Sequence, residues 1–493
     1  MRLCSFNHIF GLYKDKWLFS RTRLAIIAVL FVVFTALTCH VTYGWMGKKQ
    51  KSENYASPAP KPDVLPLDIP SLFEKRLFYQ SGVPPVFTKA TPHGELTVHT
   101  TIQPRIQEHM LQLFQRYAPL IAAGVVLDAT SGAVLAMANY TKGTAGRELL
   151  PDGEDNYCLF AGFPAASLIK IVTAAAALEH KGFSPDTTLP VVGHYYSLCR
   201  SQLGLDGLKH RGEQVPLDKA FALSINPFFG LLCISYLSDA EFTSTARGFL
   251  FNTRIPFDLP LQPSMLMEPH DDFERAQMAS GYNTHTLISP LHAALIASLP
   301  ANDGVMMRPY LVDRIVDATG KERYTKTVTA LGKPLHAATV QHLRSLMQGT
   351  VQIGTARHAF AYLRSHAETK DWITGGKTGS INLPDQRGRC DWFAGFGQDG
   401  DKRVAVACIL IHGQNRTVRS AYVASQAVVA GLADTPSLLA GRVMSARSMQ
   451  QVALQKKRTT STASVRAPHH QTKVKRITTR KRTPKKTGPV TGG

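Results

Sequence analysis

The stretch FPAASLIKIVTAAAALEH, Phe163 to His180, constrains this chain more than any other. Its second half is rich in Ala and apolar throughout, the composition of a buried helix. It nevertheless opens with Ser167 and Lys170, three residues apart and therefore neighbours on one helix face. A helix start offers free N–H groups and a positive dipole end, which stabilise a developing oxyanion. A serine becomes a nucleophile when a base takes its proton, and a lysine serves as that base only where burial or another cation keeps it neutral. Alone the pair is weak. A chain of this length holds roughly two S-x-x-K patterns by chance, and a capping serine beside a snorkelling lysine is the ordinary reading.

Two further patterns follow in order. LSINPFFG supplies Ser224 and Asn226, an S-x-N at the end of a helical stretch. GGKTGS supplies Lys377, Thr378, Gly379 and Ser380 on a late strand. The run Gly376-Lys377-Thr378 is not a phosphate-binding loop, because that pattern needs Gly at 371 and the residue is Asp371. S-x-x-K, S-x-N and K-T-G in that order form a recognised catalytic set of acyl-serine enzymes.

The surrounding sequence organises around both ends of one domain. QPRIQEHMLQLFQRYAP begins with Pro104 and repeats Ile106, Met110, Leu113, Phe114 and Tyr117 at helical spacing, which predicts an amphipathic helix. AGVVLDATSGAVLAMANY predicts a hairpin turning at Ala129–Gly132. DWITGGKTGSIN predicts a strand, CDWFAGF and KRVAVACILIHG a second hairpin, and SAYVASQAVVAGLAD a closing helix. The middle, from Ala165 to Gly354, is mostly helical patterns broken by Gly and Pro. These elements predict a single α/β unit whose sheet is drawn from both ends.

With these residues in hand, the chain resembles the transpeptidase domain of penicillin-binding proteins, closest to the class B type, over about Gly94 to Asp434. TTIQPRIQ looks like the family's opening, GVVLDATSGAVLAMA like its first hairpin, and AQMASGYNTHTLISPLHAALIAS like its Gln-x-x-x-Gly-Tyr segment. ANDGVMMRPYLV and LMQGTVQIGTA match later stretches. The resemblance implies the α/β fold of penicillin-binding proteins and serine β-lactamases: an antiparallel sheet flanked by helices, with a mostly helical middle. It implies Ser167 as nucleophile toward the D-Ala-D-Ala stem peptide of peptidoglycan and Lys170 as its base. Ser224 would relay a proton to the leaving D-Ala, Asn226 would hold Lys170 and the substrate amide, and Lys377 would keep Lys170 neutral. Thr378 and Ser380 would bind the terminal carboxylate, with Gly379 between them in the substrate-binding strand, and the N–H groups of Ser167 and Ser380 would form the oxyanion hole. Neither metal nor cofactor is implied. The implied ligands are stem peptides and β-lactams, and other wall-synthesis proteins are candidate partners.

The chain departs from the family pattern in three places. Ala166 stands where the family usually has Gly, and Ser380 where it usually has Thr. The insertion VVGHYYSLCRSQLGLDGLKHRGEQV precedes S-x-N. The family's large amino-terminal pedestal is not expected in the short stretch before the domain. Two alternatives to a transpeptidase remain at this point. One is a D,D-carboxypeptidase or β-lactamase with water as acceptor; the other is a non-catalytic scaffold. No Glu-x-x-Leu-Asn lies between Asn226 and Lys377, which argues against a class A β-lactamase.

Leu24 to Met46 is a run of 23 residues without Asp, Glu, Lys or Arg, roughly 35 Å as a helix and enough to span a bilayer. Lys14, Lys16, Arg21 and Arg23 precede it, which predicts an internal amino terminus. A cleaved signal is disfavoured by the run's length and the lack of a small-x-small site. The expected organisation is a cytoplasmic segment 1–23, a transmembrane helix 24–46, an extended linker 47–93, the transpeptidase domain 94–435 and a disordered basic tail 436–493. The domain would then lie outside the cytoplasm of a bacterium, on a single-pass anchor in the inner membrane. Fourteen Lys and Arg and no acidic residue lie from Thr435 onward, against a net charge of +21 for the whole chain. That tail suits anionic envelope polymers; nucleic acid fits its composition but is not expected, because the topology puts the tail outside the cytoplasm. Seven Cys are scattered without metal spacing, and the sequence selects no disulfide among them.

Overall fold

The computed structural model describes residues 67–433, apart from 79–81, 93, 152, 208–211 and 385–386. The expected membrane segment and the basic tail lie outside the described residues. Among the described residues no helix is long and apolar enough to cross a membrane.

The centre is a five-stranded antiparallel sheet in the order Ile373–Asn382, Arg389–Asp399, Lys402–His412, Ile121–Asp128, Val134–Thr141. Lys402–His412 pairs with Ile121–Asp128 from Val404↔Asp128 to Ile411↔Ile121, so the two ends of the domain close one sheet, as expected. Alternation along the strands divides the core. Ala405, Ala407, Ile409 and Ile411 face one apolar cluster, and Val404, Val406, Cys408 and Leu410 face the other. Both faces are covered, which is why these strands read as nearly continuous apolar runs. On one face lie the amphipathic helix Pro104–Tyr117, with Ile106, Met110, Leu113 and Phe114 buried, and the closing helix Ser420–Leu432. On the other lies Pro290–Ala301, buried along its whole length. Beyond it the middle of the chain packs as helices.

The expected linker 47–93 needs correction over its described part. Leu72, Phe73, Phe78 and Val83 are core residues. Val86–Thr91 is a strand, antiparallel to Gly94–Thr100, in a second sheet completed by Val312–Asp317 and Glu322–Thr325. The Pro- and Lys-rich surroundings hid a short period-two pattern in VFTKAT, whose residues alternate between exposed and half-buried. The five described cysteines, 158, 199, 233, 390 and 408, are free thiols.

The nucleophile segment is fixed from behind by the sheet. Phe163-Pro164 pairs with Leu287-Ile288. The indole N–H of buried Trp392 donates to the Pro164 carbonyl at 2.8 Å, and its ring meets Phe163 edge-on. The chain then turns through Ala166–Ile169 as a single 3₁₀ turn before the α-helix Lys170–His180. That entry needs a left-handed backbone at Ala166, with φ at +46°. A left-handed conformation costs an L-residue about 1–2 kcal/mol, which gives a reason for glycine at this point in the pattern. The opposing Gly281 admits no side chain: a Cβ there would stand 1.9 Å from the Ala166 carbonyl oxygen. Glycine pays about 0.5–1 kcal/mol of extra chain entropy, so Ala166→Gly is expected to stabilise the fold by up to about 1 kcal/mol, read as a shift of the urea or thermal midpoint. A loss of stability would mean that packing of the alanine methyl outweighs the backbone term.

Candidate active site

Three segments remote in sequence converge on one cleft of about 580 Å³, lined among others by Ser167, Ser224, Asn226, Thr378, Gly379 and Ser380. Lys170 and Lys377 lie beneath them, both with no exposed surface. Every residue singled out in the sequence is therefore at or under the same cleft.

The local fold explains each placement. Ser167 is the second residue of the 3₁₀ turn, and Lys170 opens the α-helix behind it. Ser224 terminates the helix Leu217–Leu223 in a left-handed conformation, φ 60° and ψ 46°, and Asn226 opens the next helix, Asn226–Tyr236. The S-x-N pattern is thus a sharp corner between two helices, which turns both polar side chains out of an otherwise apolar region. Lys377 to Ser380 lie on the outermost strand of the five-stranded sheet. Gly379 is where that strand passes the nucleophile: a Cβ there would stand 3.3 Å from Ser167 N and 3.4 Å from the Ala165 carbonyl oxygen.

The hydrogen bonds fall into two groups. Lys170 Nζ reaches Ser167 Oγ at 2.8 Å, Asn226 Oδ1 at 2.7 Å and the Ser280 carbonyl. Lys377 Nζ donates to Ser224 Oγ at 2.8 Å and to the Thr378 carbonyl at 2.9 Å. Burial, and secondarily the charge of Lys377, hold Lys170 well below the ordinary lysine range. Burial lowers Lys377 to about 7. An aromatic ring lies near each amine: Lys170 Nζ is 5.6 Å from the Phe229 ring centroid and Lys377 Nζ 5.6 Å from that of Phe221.

Burial favours the neutral amine of Lys170, and the geometry suits that form. A neutral lysine has two N–H donors and one lone pair. The Ser280 carbonyl and Asn226 Oδ1 can only accept. With both N–H groups directed to them, the lone pair of neutral Lys170 is left for the Ser167 hydroxyl proton. The arrangement can thus deprotonate Ser167 without a histidine or a carboxylate.

Several cleft residues lie outside the three motifs. The insertion before S-x-N holds Asn226 by two carbonyls: Tyr195 O accepts from its backbone N–H at 2.7 Å and Tyr196 O from its side-chain amide at 2.9 Å. Tyr196 and Tyr282, both exposed, stand at the cleft. Thr355 Oγ1 lies 2.6 Å from Thr378 Oγ1. Arg389, Asp391, Arg416 and Arg419 line the side nearest Ser380.

Comparison with known proteins agrees with this geometry. The family model for the penicillin binding protein transpeptidase domain matches residues 122–431. The peptidoglycan D,D-transpeptidase PbpA of Mycolicibacterium smegmatis is 28% identical over 361 residues, covering 67% of this chain and 70% of that protein. A crystal structure of the D,D-transpeptidase domain of a peptidoglycan glycosyltransferase from Eggerthella lenta is 26% identical. It covers 68% of this chain and 82% of its own, with a TM-score of 0.53. The penicillin G acyl-enzyme complex of penicillin-binding protein A from Mycobacterium tuberculosis, 23% identical, shares the fold with a TM-score of 0.52 over 68% of this chain and 79% of its own. The matched segment contains S-x-x-K, S-x-N and K-T-G, and the chain belongs to the penicillin-binding protein transpeptidase family.

Proposed function

We propose that this chain is a peptidoglycan D,D-transpeptidase that works through an acyl-enzyme on Ser167. The observation that carries the reading is the buried Lys170, 2.8 Å from Ser167 Oγ and held by Asn226 and Ser280. Ser167 Oγ attacks the carbonyl of the penultimate D-Ala of a stem peptide, and its proton passes to Lys170 Nζ. Collapse of the tetrahedral intermediate breaks the peptide C–N bond. The leaving D-Ala takes up a proton through Ser224, whose hydroxyl is oriented by Lys377. The N–H groups of Ser167 and Ser380 stabilise the oxyanion, and Thr378 positions the terminal residue of the donor. An amine of a second stem peptide then attacks the ester, forms the cross-link and frees Ser167. β-Lactams enter the first half of the same sequence and remain as the acyl ester.

The environment belongs to the same proposal. Leu24–Met46 anchors the chain in the bacterial cytoplasmic membrane with residues 1–23 inside, supported by its apolar length and the four preceding cations. The catalytic domain then faces the wall, and the basic tail meets anionic envelope polymers there.

Ser167→Ala is expected to abolish covalent labelling by a fluorescent penicillin while leaving the unfolding midpoint in place. Equal labelling of wild type and variant would move the protein to the scaffold reading. Protease added to sealed spheroplasts should remove nearly all of the chain beyond Lys48; a protected catalytic domain would overturn the signal-anchor topology.

The pH dependence tests the base. Acylation requires neutral Lys170, so labelling should rise with pH through the Lys170 titration and then level off. Lys377 is a positive neighbour and lowers the proton affinity of Lys170. Removing that charge while keeping the bulk, as in Lys377→Met, raises that affinity and should move the rising limb to higher pH, besides slowing the reaction. A limb that stays in place would show that Lys377 does not set the state of Lys170.

A further inference from the structure

Asn226 holds Lys170 and is itself held. Its Oδ1 accepts from Lys170 Nζ at 2.7 Å, its Nδ2 donates to the Tyr196 carbonyl at 2.9 Å, and its backbone N–H donates to the Tyr195 carbonyl at 2.7 Å. A side-chain amide has nearly the same shape either way round, so its hydrogen-bond partners decide which end faces which neighbour. The Tyr196 carbonyl can only accept. It therefore claims Nδ2 and turns Oδ1 toward Lys170. Reversed, the amide would set an N–H donor against Lys170 Nζ and compete with the Ser167 hydroxyl for the lone pair of the neutral amine.

The turn that carries those two carbonyls is closed by one side chain. Gln202 lies in the single 3₁₀ turn Arg200–Leu203, with only 7% of its surface exposed. Its Nε2 donates to the Val192 carbonyl at 2.9 Å and to the His194 carbonyl at 3.0 Å. Its Oε1 accepts from the Cys199 N–H at 3.0 Å and lies 3.2 Å from Ser197 Oγ. Gly193 crosses this amide so closely that a Cβ there would stand 3.0 Å from Nε2. The two N–H groups and two lone pairs of Gln202 are thus all engaged within the turn. Its partners flank Tyr195 and Tyr196 on both sides. The carbonyls of residues 192 and 194 go to Gln202, and those of 195 and 196 go to Asn226. Breaking the set would leave buried donors unpaired, which favours this one arrangement of the turn.

We propose that Gln202 is a positioning residue for acylation: by closing the turn at residues 192–199 it aims the Tyr195 and Tyr196 carbonyls, which set the orientation of the Asn226 amide and so keep the Lys170 lone pair for Ser167. The inference rests on the transpeptidase reading above and gives the insertion before S-x-N a part in that reaction. Gln202 acts at two removes from the chemistry, through the turn and then through Asn226, and each link is a hydrogen bond between named atoms. A substitution at 202 therefore alters how well the base is presented, while Ser167, Lys170 and the binding strand keep their own contacts.

The experiment uses full-length protein in membranes and a fluorescent penicillin. It reads the second-order acylation constant and, separately, the final labelled fraction. Gln202→Glu keeps the size and the acceptor oxygens but, ionised, has no N–H for the Val192 and His194 carbonyls; Gln202→Met removes both kinds of bond. Each should lower the constant about three- to tenfold, the range of one neutral hydrogen bond, with the labelled fraction staying at that of wild type. The same substitutions are then made beside Asn226→Ala. With no amide left to orient, Gln202→Glu should cost less than about twofold there. An equal loss in both backgrounds would mean that the turn acts by another route, such as the Tyr196 ring at the cleft, and would overturn the proposal. So would an unchanged constant, whether the labelled fraction holds or falls; a fall in the fraction alone is the mark of a merely structural role. Gln202→Glu carries the test if Gln202→Met does not fold. A wild type that takes up no label would instead overturn the transpeptidase reading, and this role with it.

Discussion

The structure is organised around two lysine side chains without exposed surface. Among the described residues neither Lys170 nor Lys377 is paired with a carboxylate. A buried ammonium without a counter-ion is expensive, and the usual resolution is loss of the proton. Here the fold makes that resolution useful. It supplies each amine with oxygen acceptors, places an aromatic ring near each, and sets the Ser167 hydroxyl on the remaining side of Lys170. A salt-bridged lysine in the same position would hold its proton and leave Ser167 a weak nucleophile. The apolar helix behind Lys170 is therefore part of the chemistry, since its burial determines the protonation state of its first residue.

Delivering these groups to one place is the task of the sheet. Lys377 reaches the site from an outer strand, and the register that pairs Lys377 with Ala394 and Gly379 with Trp392 also sets the indole of Trp392 against the Pro164 carbonyl. One strand thus fixes both the late motif and the segment that enters the nucleophile turn. An outer strand also offers main-chain donors and acceptors along its open edge, where an extended peptide can pair with it. The left-handed corners at Ala166 and Ser224 do the complementary work on the helical side. Each interrupts an apolar segment where a polar group has to turn toward the cleft.

The sequence made the scaffold of the site legible because that scaffold is periodic. The helix Pro104–Tyr117, both hairpins, the late strand and the closing helix follow from apolar spacing and turn residues, and the three motifs fall at the ends or edges of those elements. Other parts were not legible. VFTKAT shows little burial of its own, and it becomes a strand only because Gly94–Thr100 and Val312–Asp317 are there to continue the sheet. Thr355, Tyr196, Tyr282 and the pair Arg416 and Arg419 reach the cleft from four segments outside the three motifs. Their relevance comes from tertiary proximity, which periodicity does not encode. The insertion before S-x-N was visible as a departure, but its job of presenting two carbonyls to Asn226 depends on backbone direction, on which side-chain patterns are silent.

The same comparison separates the cations of the cleft by what burial does to them. Lys170 and Lys377 have no exposed surface, and burial favours loss of the proton from each amine. Arg389, Arg416 and Arg419 stand nearer the solvent, and a guanidinium keeps its charge at any pH a cell reaches. Exchanging the two residue types would fail in both places: an arginine at 170 could not act as a base, and a lysine at 389 would lose the Nε hydrogen bond to Ser380. Five basic side chains around one cleft thus divide into a buried proton acceptor, its electrostatic neighbour and three guanidinium groups nearer the solvent. Depth and side-chain chemistry, rather than net charge, assign the parts.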